Sequence, residues 1–203
     1  MTVSMQPAGD ASSLGSSHAQ PMGLDALGAE QSRRIRLFGV ALLIVAESLI
    51  FVPLLAIRFL IAGTDRPDDV NGSLEGLLIV AMVASFVAMY GARRAARRGH
   101  WPFTAAALRV AGVLALLTAV GVGIGWSDPA LDAASGFGGI FYLTTGAHAV
   151  HLVIGSFFLG GLAVQAGRGR LAGSGRTLLD GTYWFWGFLV VVWLAIGVVF
   201  YLL

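Results

Sequence analysis

Residues 37–61 read LFGVALLIVAESLIFVPLLAIRFLI, a run in which Glu47 and Arg58 are the only charged side chains. A helix rises 1.5 Å per residue and crosses a hydrocarbon core of roughly 30 Å with about 20 residues, so this run is long enough to span a membrane. Four more apolar runs follow, at 74–90, 101–126, 137–165 and 178–203. Lipid offers no partners to backbone amides, and a closed barrel would show short alternating segments instead of long apolar runs. The expected fold is therefore all-α, a polytopic bundle of five transmembrane helices. The span at 74–90 is the tightest fit, and the one at 137–165 must tilt or protrude.

The composition agrees. Of 203 residues 57% are hydrophobic and 12% charged, against about 25% charged in a soluble domain, and the mean hydropathy is +0.80. There is no cysteine, which excludes disulfides, thiolate metal sites and cysteine nucleophiles. All 13 basic residues are arginine. A net charge of +2 could suggest nucleic acid, but a basic face with interleaved aromatics is absent and no nucleic-acid partner is expected. No repeat of the kind that builds solenoids or inverted-repeat transporters is present.

Arginine placement supplies an orientation. Arg33, Arg34 and Arg36 precede the first span, Arg93, Arg94, Arg97 and Arg98 follow the second, and Arg168, Arg170 and Arg176 lie between the fourth and fifth. The alternate connections carry Asp65, Asp68, Asp69 and Glu75, then Asp128 and Asp132, with Arg58 and Arg66 nearby. Ten of the 13 arginines thus fall on one side, which predicts a cytoplasmic N-terminus and a periplasmic C-terminus. Residues 1–32, rich in Ser, Gly and Ala and without a signal-peptide pattern, are expected to form a disordered cytoplasmic tail ahead of a transmembrane domain at 33–203.

Polar groups inside the spans are costly and mark candidate sites. Glu47 lies about ten residues into the first span, where a carboxyl must be protonated, hydrogen-bonded or turned toward protein. It is the first candidate for a proton-related role. Pro53 follows one turn or so later and removes a backbone hydrogen bond beside it. His148 and His151 share one helical face and could bond across helices or ligate a metal. The other histidines, His18 in the tail and His100 at a boundary, leave no intramembrane partner for paired haem ligation. Arg109 sits near a span end, where it can snorkel or pair with Glu47. Trp101, Trp126, Tyr183, Trp184 and Trp186 suit interfacial anchoring. No phosphate loop, nucleophile elbow or carboxylate pair is present.

Three segments together resemble subunit III of the bacterial haem-copper oxidases: Glu47 with Ser48 to Phe51, the run Thr145-Gly146-Ala147-His148-Ala149-Val150-His151, and Trp184-Phe185-Trp186 through Val191-Val192-Trp193. The second is similar to the family's Thr-Gly-x-His-x-x-His and is the most specific signal. Asp180 matches an acidic position of the family, whereas Gly187 and Val190 stand where the family has His and Asp. The third span also lacks the family's carboxylate near its end. The five-span form looks like the bacterial version without two extra N-terminal helices.

The resemblance implies a non-catalytic accessory subunit with no active site of its own, packed on the catalytic subunit I and in contact with subunit II, in the bacterial inner membrane. Haem and copper would reside in the catalytic partner, none in this chain, and structural phospholipid would lie between helices. Glu47 would correspond to the family's carbodiimide-reactive glutamate, and the subunit would support proton uptake during oxygen reduction by a cytochrome c or quinol oxidase. An accessory subunit of a nitric oxide reductase and a small proton-coupled transporter built on Glu47 and Arg109 are the alternative readings.

Overall fold

The computed structural model describes residues 22–63, 72–129 and 131–202. His18 and the first outer connection with Asp65, Arg66, Asp68 and Asp69 lie outside the described residues. The chain forms α1 (Met22–Ala62), α2 (Gly72–Arg97), α3 (Trp101–Gly125), α4 (Gly136–Gly167) and α5 (Ser174–Gly197), the last continuing into a π-helical turn (Val198–Leu202). Five helices among the described residues are long and apolar enough to cross a membrane. The helices run past the apolar stretches that announced them. α1 begins at Met22, so its first turns fall inside the segment read as tail, and α2 carries on through the arginines to Arg97.

Local signals set the helix ends. Ser135 has extended backbone and its side chain accepts a hydrogen bond from the amide of Gly138 at 2.9 Å, capping α4. Pro102 sits in the first turn of α3, where its missing N–H costs nothing.

α3 lies between α2 and α4, α5 returns against α2, and α1 packs on α4 and α5. Small residues make this possible. The buried face of α3 is built from Ala105, Ala111, Gly112, Ala115 and Gly121, which lets backbones approach where lipid gives no hydrophobic drive for helix association. Hydroxyls then bridge the helices: Ser156 Oγ donates to Gly112 O at 2.9 Å, and Ser85 Oγ to Ala111 O at 2.8 Å. Large apolar side chains such as Leu49, Leu60 and Phe157 point outward, as lipid-facing positions should.

Trp186 lies at the centre of the bundle. It is buried, and a Cβ on Gly155 of α4 would stand 2.6 Å from its Cζ3. Its expected interfacial place is therefore corrected: the indole N–H finds Ser85 Oγ at 2.9 Å inside the protein, so it needs no headgroup region. Gly155→Ala is expected to destabilise the bundle by about 1–3 kcal/mol, the usual cost of overpacking, because the indole cannot shift without leaving Ser85. Thermal unfolding in detergent reads this directly.

Candidate functional site

α1 carries Glu47 within its apolar run, and α4 brings His151 to meet it. Glu47 Oε2 and His151 Nε2 are 3.0 Å apart, with both side chains largely but not completely enclosed. The other ring nitrogen fixes the chemistry. His151 Nδ1 lies 2.7 Å from Ala147 O, and a carbonyl can only accept, so Nδ1 carries the hydrogen. A hydrogen bond across Nε2···Oε2 then needs one proton between the two atoms, and the pair is net neutral whichever partner bears it. A neutral pair is what a helix interface in lipid tolerates.

His148 lies one turn before His151 and behaves differently. It is fully buried, and its ring stacks on Trp193 of α5 at 5.0 Å between centroids, 22° from parallel. Neither ring nitrogen has a hydrogen-bond partner among the described residues. Phe51, one turn after Glu47, sets its edge against both histidines, at 6.0 Å from His148 and 5.4 Å from His151. The two histidines thus share a helical face but not a role. Val190 is buried and apolar, and α5 offers His148 an indole face in place of an acceptor. Gly187 lets α5 close on α2, since a Cβ there would stand 3.3 Å from Phe86 Cε2.

Arg109 does not pair with Glu47. α1 packs on α4 and α5 whereas α3 packs on α2 and α4, so the two residues belong to different seams, and Arg109 is exposed on the outer face of α3.

A second polar assembly lies at the arginine-rich end. Asp180, in the second turn of α5, receives Arg93 Nε at 2.5 Å, with Arg97 Nη2 at 3.7 Å and Arg33 Nη2 at 3.8 Å. Arg93 also lies over the Tyr183 ring, 4.5 Å from its centroid. Asp180 and its three arginines, with Arg176, line a cavity of about 330 Å³. Sequence reading used the arginines only for orientation. The signal available was that Asp180 is the one acid after the last arginine in the sequence.

Two further buried charges escaped the sequence. Arg58 is fully buried near the end of α1, donates from Nη1 to Gly63 O, and lies over Phe137 at 5.1 Å. Glu75, read as part of an outer connection, is buried in the first turn of α2. No group of three His, Cys, Asp or Glu side chains that could hold a metal occurs among the described residues.

Among the described residues, five apolar helices with a carboxyl–imidazole pair between α1 and α4 define a multi-pass membrane helix bundle. The model of the family described as cytochrome c oxidase subunit III matches residues 75–203, well over half of the chain. The chain belongs to the cytochrome c oxidase subunit III family. His148, His151, Asp180, Trp186 and Trp193 lie within the matched region, and Glu47 precedes it. Over 65 residues it is 40% identical to a protein of Rickettsia prowazekii (strain Madrid E) named probable cytochrome c oxidase subunit 3, an alignment covering 31% of this chain and 23% of that one. Over 65 residues it is 34% identical to cytochrome c oxidase subunit 3 of Glycine max, covering 32% of this chain and 24% of that one. The chain thus spans about a quarter of the length of these relatives.

Proposed function

We propose that this chain is the non-catalytic subunit III of a respiratory haem-copper oxidase, seated on the haem- and copper-bearing catalytic subunit and supporting its stability and proton uptake. The observation that carries the reading is the Glu47–His151 pair, a protonatable couple held inside a chain of this family. One carboxyl oxygen faces one ring nitrogen at 3.0 Å, within hydrogen-bond reach, so the two groups act as a unit. Subunit II is the further protein partner, and phospholipid fills the grooves between helices. Ten arginines at one end support a cytoplasmic N-terminus and a periplasmic C-terminus in a bacterial inner membrane.

Gentle detergent extraction of the native protein is expected to bring a large subunit containing haem and copper with it. Recovery of a stable solitary chain that moves a solute would overturn the proposal. In the same preparation, Glu47→Gln is expected to leave assembly and haem spectra intact and to abolish labelling of this chain's first span by a hydrophobic carbodiimide, which needs a protonated carboxyl. Labelling that survives the substitution would remove Glu47 from the proton-related role.

A further inference from the structure

Glu75 lies one turn into α2, at the end of the bundle opposite the Asp180 assembly, and is 3% exposed. Neither of its carboxyl oxygens has a hydrogen-bond partner among the described residues. Gly197, the last residue of α5 before the π-helical turn, closes over it: a Cβ there would stand 3.2 Å from Glu75 Oε1 and 3.1 Å from Ile79 Cδ1. A π turn widens a helix and is a frequent mark of functional positions. Here it begins at the residue after the one that covers the carboxyl.

The surroundings decide its charge. From α3, Gly121 and Gly125 meet the neighbouring Leu78 and Leu74 and bring no ionisable group. From the π turn, Tyr201 is electrostatically close to Glu75, and Asp128 of the α3–α4 connection also acts on that tyrosine. Both become negative on ionising, so neither offsets a carboxylate. Arg58, a buried cation among the described residues, belongs to α1, where its contacts include Gly63 O and the rings of Phe59 and Phe137. A carboxylate shut away without a cation or an N–H is far costlier than a neutral acid missing a hydrogen bond.

We propose that Glu75 is a second proton-binding site of this chain, separate from the Glu47–His151 pair, holding its proton as a neutral carboxylic acid beneath Gly197. The proton comes from the water phase beyond the first turn of α2. The inference stands whether or not Glu47 serves proton uptake.

Infrared spectroscopy of the intact membrane complex tests it. Glu30, Glu47 and Glu75 are the only glutamates in the chain, and Glu30 is exposed beside Arg33 and Arg34. In a Glu47→Gln background at neutral pH, the complex is expected to show a carboxylic-acid carbonyl band that shifts in D2O and disappears on adding Glu75→Gln. The melting temperature should stay unchanged, because one neutral group replaces another. If Glu75→Gln does not assemble, Gly197→Ala presses on Oε1 while keeping the acid, and the same band should move. A spectrum unaltered by Glu75→Gln, or by Gly197→Ala where the first variant fails, overturns the proposal, as does a loss of melting temperature in an assembled Glu75→Gln complex.

Discussion

Asp180→Ala is expected to lower the stability of the bundle by about 3 kcal/mol, the low end of the cost of breaking a buried ion pair. Asp180 keeps only 13% of its side-chain surface, and Arg93, Arg97 and Arg33 all point at it. Removing the carboxylate leaves three guanidinium groups from two helices facing one another around a cavity that Arg176 also lines. The repulsion pushes α1 from α2 while both lose their attraction to α5, so detergent-extracted protein should melt earlier, with part of the loss restored by salt. Substituting exposed arginines discriminates this from a general charge effect. Arg34→Ala, which touches only Glu30 on the outside, should cost well under about 1 kcal/mol. The double variant Asp180→Ala with Arg93→Ala should lose less than the two single losses combined, because the second change removes the charge that the first left unpaired.

Trp186→Ala is expected to cost about 3–5 kcal/mol, the range for deleting a large buried aromatic. The indole fills the space against Gly155 and joins α5 to α2 through Ser85, whose hydroxyl passes on to Ala111 of α3. Truncation opens a cavity where α2, α4 and α5 meet and leaves Ser85 with one partner fewer. Trp186→Phe separates the two contributions. It keeps most of the ring and loses the hydrogen bond, so it should cost only about 0.6–1.7 kcal/mol, the measured span for such bonds in membrane bundles. Unfolding in mixed micelles with a graded denaturing detergent would rank the three proteins.

Hydropathy revealed every span because lipid demands a long apolar helix wherever the chain crosses. It did not reveal which faces meet, because in a membrane both faces are apolar. On α4, Phe157 turns outward and Leu159 is wholly enclosed, although nothing in their chemistry distinguishes them. Trp186 shows the same difficulty in another form. Tryptophan serves equally at a headgroup boundary and beside an internal hydroxyl, and only the bundle places Ser85 within reach. The Glu47 and His151 motifs were each visible in the sequence, yet their meeting required α1 to lie on α4. The same neighbour relations removed Arg109 as a partner. Asp180 stood out as a family position, while its arginine partners became visible only when three helix ends converged.

α1 leaves the ribosome before α4 and α5, the helices it packs on, and is enclosed only when they arrive. Between Glu47 and His151 the chain runs on for 104 residues, which at ordinary synthesis rates is a delay of about 5–20 s. During that interval the acid sits in an apolar segment without its imidazole, so it must wait as a neutral group or in the care of the insertion machinery. The contact at 3.0 Å is therefore an event late in biogenesis. A chain lacking His151 would remain in the waiting state permanently.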